Sequence, residues 1–433
     1  MRKFDAALVM ICSRWFFFGW LIVLVSFTSS MINAGTGSYA LGFFIVPMGD
    51  ELGISRLQFS FIPLFKLLTI PILPLLGISV DKKNGARILV AVGSLIGGIA
   101  LAATSLVENI WQFYITYGVL YGLGTAAMGS QLVGPSLISK WFVQKRGRAM
   151  AIGTMGISAG GVIIAPIAGV TISAMDWRSG WLALSLVTII AIVPPAILFI
   201  RRAPEDVDLL PDGGTLATEE HHISYEPEVI SWTLIQSLKS RTFWIFSLIQ
   251  ALGICGLVPV LFHEIAYIQD KGFQTEYATI VAWTFALSAL ISKLPFGFLS
   301  ERMDVRKVLA LCLIPAGIST FLIIPATSLF TLLLWGIIHG FFMGGFPTIM
   351  GVALPTYFGR QHMGSIRGVI SPIIIVVSSF SPLLGGILWN DDSSYKSAFV
   401  LFGTTWIIGG LLPLALGKPK PPDIQNSDIR IGL

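Results

Sequence analysis

Long apolar runs, most of them about 18 to 25 residues, recur along nearly the whole chain. Each is long enough to cross a ~30 Å hydrocarbon core as a helix. With no water in that core, every backbone N–H and C=O must be paired within the chain, so spanning segments are helices or strands of a closed barrel. Alternating ten-residue strands are absent from the sequence, which leaves helices. Composition agrees: 54% of residues are hydrophobic and 12% charged, about half the usual charged share of a soluble domain. The expected fold class is all-α integral membrane.

Breaks at charged residues, Pro and Gly place spans near 15–46, 57–79, 87–106, 111–139, 147–173 and 178–200, then near 242–268, 276–299, 307–325, 329–357, 364–389 and 396–417. Between the two sets lies RRAPEDVDLLPDGGTLATEEHHISYEPE, which has too little apolar area to fold as a domain. It reads as a linker, with a short amphipathic helix from Ile230 to Lys239. The expected organisation is a six-helix bundle over 1–200, a linker over 201–241, a second six-helix bundle over 242–418 and a tail over 419–433. Met1 to Arg14 begins like a signal peptide, but its apolar run continues to about Ile45 without a clear cleavage site, so the first span is expected to be retained.

Charge gives the topology. Of the 28 Lys and Arg residues, Arg56, Arg178, Lys271 and Lys396 fall in one set of loops, and Lys66 and Lys293 fall inside spans. The remaining 22 lie in the termini, the linker and the loops at 80–87, 140–148, 301–307 and 358–367. By the positive-inside rule both termini and those loops are expected to be cytoplasmic. The net charge of +5 is thereby explained as topology; no basic tract follows a phosphate backbone, and nucleic acid is not an expected partner. Cys12, Cys255 and Cys312 lie in or beside apolar runs without metal-ligand spacing, and read as small buried hydrophobes.

The chain also repeats itself. GISVDKKNGAR (Gly77 to Arg87) and GFLSERMDVRK (Gly297 to Lys307) share a glycine, an acid and a base at a constant offset of 220 positions: Gly77 and Gly297, Asp81 and Glu301, Lys82 and Arg302. The fourth span leaves through LISKWFVQKRGRAM and the tenth through LPTYFGRQHMGSIRG, each an apolar run, an aromatic pair, a basic turn and a Gly-rich helix start. Two such copies imply two similar bundles related by an axis along the membrane normal, with a site near the midplane between them. Alternating access requires that symmetry.

On these residues the chain resembles the major facilitator superfamily along nearly its whole length. That family's loop pattern is G-x-x-x-[D/E]-[R/K]-x-G-x-[R/K]-[R/K], between spans two and three and again between eight and nine. Gly77, Asp81, Lys82, Gly85 and Arg87 fit the first copy with one extra residue before Gly85. Gly297, Glu301, Arg302, Arg306 and Lys307 fit the second, with Asp304 near the usual glycine. KWFVQKRGRAMAIGTMGISAGGVIIAPIAG (Lys140 to Gly169), DWRSGW (Asp176 to Trp181), RAPEDVDLLPDG and FHEIAYIQDKGFQ are similar to the monocarboxylate-porter and oxalate–formate-exchanger branch, in its bacterial form. The resemblance implies twelve transmembrane helices, both termini cytoplasmic, a cell-membrane location of the bacterial inner-membrane kind, and a gating role for the two loop motifs.

Ionisable groups inside spans are costly and so are candidate functional residues. Lys66 lies about ten residues into the second span, ~15 Å deep; Lys293 lies four residues before Gly297, where the resembled porters carry a substrate-binding arginine. Either lysine could instead snorkel to an interface or pair with a carboxylate. Where that branch often has a lysine near the end of the first span and an aspartate a turn before the arginine, this chain has Gly42 and Ala289. The usual proton couple is therefore incomplete. His263, Glu264 and His339 remain as groups to titrate, with an interfacial His263–Glu264 pair and a packed core His339 as the alternatives. SFTSSMINAGTGSYA (Ser26 to Ala40) reads either as an unwound, cavity-lining section presenting Asn33 and Tyr39 or as close helix packing; Gln131 has the same two readings. GTMGISAGG lies within a span and follows no strand, so it is helix packing rather than a phosphate loop.

Five intramembrane titratable groups with one carboxylate, Glu264, suit an anionic substrate. The expected function is secondary transport of a small organic anion, a monocarboxylate by the resemblance, as proton symport or exchange; the rival is export of amphipathic or drug-like molecules. The expected partners are that anion and the bilayer, with the chain working as a monomer, without metal or cofactor. No nucleophile with its base, paired surface carboxylates or GxxxxGK[ST] loop supports an enzyme, and no output domain supports a receptor.

Overall fold

The computed structural model describes residues 15–54, 58–59, 61–128, 131–213, 231–392 and 395–417. Among them no strand occurs. Eleven helical stretches are long and apolar enough to cross a membrane: Gly19–Leu52, Ile62–Asp81, Gly85–Thr104, Arg146–Ala174, Trp177–Phe199, Arg241–Asp270, Glu276–Arg302, Val305–Leu322, Leu329–Phe358, Met363–Leu388 and Lys396–Ala415. A twelfth, fourth in chain order, comprises Ile110–Phe113, Tyr114–Tyr121, Gly122–Met128 and Val133–Trp141. These are the first to twelfth spans. Large apolar side chains such as Ile88, Ile190 and Trp283 stay exposed along them, as a lipid-facing surface requires. The proposed boundary at 418 and the tail 419–433 lie outside the described residues, as does Arg56.

Two expectations change. The eighth span continues as helix through Arg302, so Gly297 to Arg302 belongs to the membrane helix and the turn shrinks to Met303 and Asp304. Nothing in Phe298 to Arg302 breaks a helix, and Arg302 at the carboxyl end suits the helix dipole. The linker helix is shorter than expected, Leu234–Lys239, because Thr233 caps it in a capping box with Gln236. The additional residue of the first loop motif is absorbed at Asn84, whose φ of 63° is one that Asn tolerates better than most.

The Gly-rich part of the first span is not unwound. Gly35–Tyr39 is a π turn, in which Ala40 N donates to Gly35 O at 2.7 Å. A wider turn keeps the backbone paired, as lipid demands. Tyr114–Tyr121 and Gly160–Ile164 are also π-helical. The second span tightens instead: Lys66–Ile72 is 3₁₀. Pro71 and Pro74 cannot donate to the carbonyls of Leu67 and Ile70, and Ile70 O takes Leu73 N, three residues on.

The two halves meet where glycines let backbones touch. A Cβ on Gly77 of the second span would stand 2.5 Å from Gly364 O and 2.8 Å from Gly368 Cα of the eleventh. One on Gly297 of the eighth would stand 2.7 Å from Gly147 O of the fifth. Without a hydrophobic drive between helices in lipid, such small-residue contacts and cross-helix hydrogen bonds supply the association. Gly77→Val and Gly297→Val are therefore expected to destabilise the purified protein by ~1–3 kcal/mol through overpacking, read as a lowered Tm. Gly386, with nothing within 4 Å of its built Cβ, should accept Val with Tm unchanged.

Candidate substrate site

A central cavity of about 130 Å³ lies between the halves, walled by the fourth, fifth, seventh, tenth and eleventh spans. Its polar lining is Gln131 and Thr154 from the first half, and Gln250, Arg367 and Ser371 from the second; Ile157, Ile254, Phe346 and Met350 are among its apolar walls. The Thr154 and Thr348 hydroxyls share a hydrogen bond of 2.7 Å across the halves. Arg367 is buried at 7% exposure. Its Nη2 donates to the carbonyls of Gly351 at 3.2 Å and Met350 at 3.5 Å, and its buried Nε has no partner among the described residues.

Of the residues singled out in the sequence, only Gln131 lines this cavity. Lys293 is buried at the seam beside it, where Nζ donates to Ser158 Oγ of the fifth span at 2.7 Å and to Ala289 O at 3.3 Å. Lys66 keeps an accessible side chain and has no partner among the described residues. Along the seam of the second and eleventh spans, Gly77 meets Gly364, Leu73 meets Gly368, and Ser379 Oγ donates to Pro63 O. That antiparallel register sets Lys66 level with Ile375, just beyond Ile374, where the eleventh-span lining ends. The structure thus does not bring Lys66 and Lys293 together on one cavity wall.

Asn33 Nδ2 donates to Thr125 O of the fourth span at 3.2 Å, a contact within the first half. The Thr36 hydroxyl pairs with Tyr121 OH, and Tyr117 OH donates to Thr36 O at 2.8 Å. Tyr39 is 38% exposed and within electrostatic reach of Glu264 in the other half. Glu264 is buried, with Oε2 unpartnered among the described residues. Neither it nor His263 is the water-facing interfacial group of the alternative reading. His263 Nε2 bonds Pro382 O at 2.8 Å and the ring rests against Gly385. His339 is a core residue: Nδ1 meets Ser319 Oγ at 2.9 Å and the ring stacks on Trp335 and Phe285.

The loop motifs form a crossed pair of helix caps. Asp81, ending the second span, accepts Gly364 N at 3.1 Å, Ser365 N and Ser365 Oγ at 2.7 Å, and Lys140 Nζ at 2.7 Å. Glu301, near the end of the eighth, accepts Arg148 N at 2.8 Å and the Arg148 guanidinium at 2.9 Å. Each acid therefore closes the amino end of a helix in the opposite half, where the macrodipole favours a carboxylate. Lys82 and Arg302 are exposed. Arg87 Nε donates to Ile197 O, and Gly85 starts the third span under Ser79 O. Arg306 binds Asp304 and Leu416 O, and its hydrogen bonds hold the Asp304 carboxyl below its usual range.

The sequence pattern of the Major Facilitator Superfamily matches residues 24–283 and 256–431. The chain belongs to that superfamily. It is 22% identical over 428 residues to monocarboxylate transporter 13 of Rattus norvegicus, covering 96% of this chain and 95% of that protein. It is 24% identical over 405 residues to the fujikurins efflux protein of Gibberella fujikuroi, covering 91% and 81%. Its fold matches the superfamily proton:xylose symporter XylE bound to 6-bromo-6-deoxy-D-glucose, with TM-score 0.70 at 13% identity, covering 94% and 98% of the two chains. The chain is thus a multi-pass membrane transporter of two repeated halves, not an enzyme.

In this superfamily member the linker also binds both halves. Asp212 accepts the backbone N–H groups of Val143, Gln144 and Lys145 at 2.8–3.0 Å. Glu205 accepts from Arg360 at 2.5 Å, and Arg360 donates to Lys140 O at 3.0 Å. Arg367 was missed because counting basic residues put it in the loop at 358–367. The available signal was the span expected from about 364, which already contains Arg367; the helix start at Met363 sets it a full turn inside. Asp81→Ala should cost ~3–5 kcal/mol, because it strands the Lys140 ammonium, 4% exposed, without its partner. Melting curves of Asp81→Ala, Lys140→Ala and the double variant should return part of that loss in the double.

Proposed function

We propose that this transporter moves a small organic anion, a monocarboxylate, by rocking its halves about the central cavity. The observation that carries the reading is the charge inventory of the membrane interior. Lys66, Lys293 and Arg367 lie within spans, and none has a carboxylate partner among the described residues. A single carboxylate, Glu264, is buried near the seam. Uncompensated cations beside a cavity between two moving bodies favour an anionic cargo. The resemblance to monocarboxylate transporter 13 supports the same class. Asp81 and Glu301 latch the face with the basic loops, which is the cytoplasmic face by the positive-inside argument. Opening there breaks both caps together.

Coupling to a proton would assign the carrier role to Glu264, the carboxylate buried near the seam with its Oε2 unpartnered among the described residues. Proteoliposomes loaded with buffer should take up labelled monocarboxylate faster when the outside is acidified, and Glu264→Gln should abolish the acceleration. Uptake that needs internal carboxylate and ignores the gradient marks exchange instead. A second reading, export of amphipathic molecules, is favoured by the apolar walls of the cavity and by the likeness to a fungal efflux protein. Flux of neutral amphipathic dyes without any flux of monocarboxylates would replace the first reading with the second.

A further inference from the structure

We infer that Arg367 is the anchoring group for the substrate carboxylate, and that the site takes a monocarboxylate with an apolar body rather than a dicarboxylate or a polyol. This deepens the reading above and rests on it. Three cations lie in the membrane interior, but their chemistry differs. The Lys293 ammonium, a compact point charge, is already committed to the Ser158 hydroxyl and the Ala289 carbonyl. Arginine keeps its charge in proteins. Arg367 is therefore the one that an anion or water must answer in every state of the transporter.

The geometry leaves it ready to do so. Nη2 rests on the Gly351 and Met350 carbonyls, which hold the guanidinium in place. Nε has no partner among the described residues, and no carboxylate there forms an ion pair with the group. Arg367 lines the cavity together with Ser371 one turn along the same helix, and with Gln131 and Thr154 from the opposite half. Gln250 adds a side-chain amide to the lining, its Oε1 unpartnered among the described residues. A carboxylate on the guanidinium would touch both halves at once, as a cargo that controls their rocking must.

The remainder of the lining sets the class. Ile254, Leu257, Leu354, Ile370 and Ile374 offer no hydrogen bond to a second charged group. Lys293 lies outside the lining with its Nζ committed, and Lys66 lies beyond the outer end. A second carboxylate would therefore lose its water and meet apolar side chains, whereas a short aliphatic or aromatic body would be well received.

The test uses the full-length transporter, first in detergent and then in proteoliposomes. Phenylglyoxal labelling of the Arg367 peptide, read by mass spectrometry, should be slowed by isobutyrate or benzoate and left alone by succinate or xylitol. In flux assays Arg367→Gln should raise KM for the monocarboxylate by about tenfold or more, the loss expected of a charge-assisted hydrogen bond, with Arg367→Lys in between. Unchanged KM in Arg367→Gln, with the wild type transporting monocarboxylates, overturns the role of Arg367 and leaves the transport reading intact. Protection by succinate equal to that by isobutyrate overturns the substrate class. Absence of both flux and protection with every monocarboxylate overturns this inference and the reading beneath it. If Arg367→Gln does not fold, the labelling of the wild-type protein decides.

Discussion

Two carboxylates, each closing the amino end of a helix that belongs to the other half, hold this molecule in the arrangement described. Asp81 and Glu301 have side chains only 11% and 10% exposed; Asp81 receives two backbone N–H groups and Glu301 one, each as well as a cation. Hydrogen bonds to a charged acceptor are among the stronger interactions available to a protein. They are also brittle, since removing one partner leaves a desolvated charge. The glycine contacts of the second with the eleventh span and the fifth with the eighth depend on the same closure. Backbones approach this closely only while the caps hold the helix ends in register. The cavity lies just beyond these contacts along the seam, so the caps determine whether that end is shut.

The repeat in the sequence made these caps legible. A glycine with an acid four residues on, repeated at an offset of 220 positions near the end of an even-numbered span, describes one device used twice. Sequence could not say which helix each acid would meet, because the partners Gly364, Ser365 and Arg148 are distant in the chain and lack an acid-specific pattern. Span count and order were legible too, since lipid admits so few backbone solutions. Arg367 was not, and the reason is physical. Sequence divides a chain at its charges, so a charged residue one turn inside a helix is assigned to the adjoining loop. Lys293 and Lys66 stood out because apolar runs surround them, yet isolation in sequence does not establish contact with a cavity. Lys293 spends its ammonium on a serine and a carbonyl instead.

The irregular turns follow a similar logic. Described π turns occur in the first, fourth and fifth spans, all in the first half, and two of them touch: a Cβ on Gly160 would stand 2.7 Å from Gly35 N. A Cβ on Gly35 would in turn stand 2.4 Å from the Ile164 Cβ. The glycines that could have signalled an unwound substrate site instead let two widened helices pass in contact, and a π turn shifts side chains by about one position without unpairing the backbone. The shift brings Thr36 to Tyr121 and Tyr117, a polar contact among stacked rings that satisfies hydroxyls the lipid cannot. In the described arrangement this interval packs closely, with Asn33 bonding Thr125 O, while Tyr39 stays partly exposed.

Position along one seam orders the remaining charges. In the register of the second and eleventh spans, Arg367 is level with Pro74 and Lys66 with Ile375. Eight residues separate the two levels, which is ~12 Å of α-helix and somewhat more where the turns are 3₁₀. Pro71 and Pro74 fall in that interval, where the helix tightens to 3₁₀ over Lys66–Ile72; the side chain of Lys66 is accessible while Thr69 beside it is buried. The opposite end of the seam is shut by Asp81 on the eleventh-span amino terminus. An anion moving along this seam in the described arrangement would therefore approach from the Lys66 end. It would meet a flexible, accessible ammonium first and a fixed guanidinium second. On the anion-transport reading proposed above, a point charge on an accessible stem followed by a planar group held by carbonyls would draw the cargo along the seam.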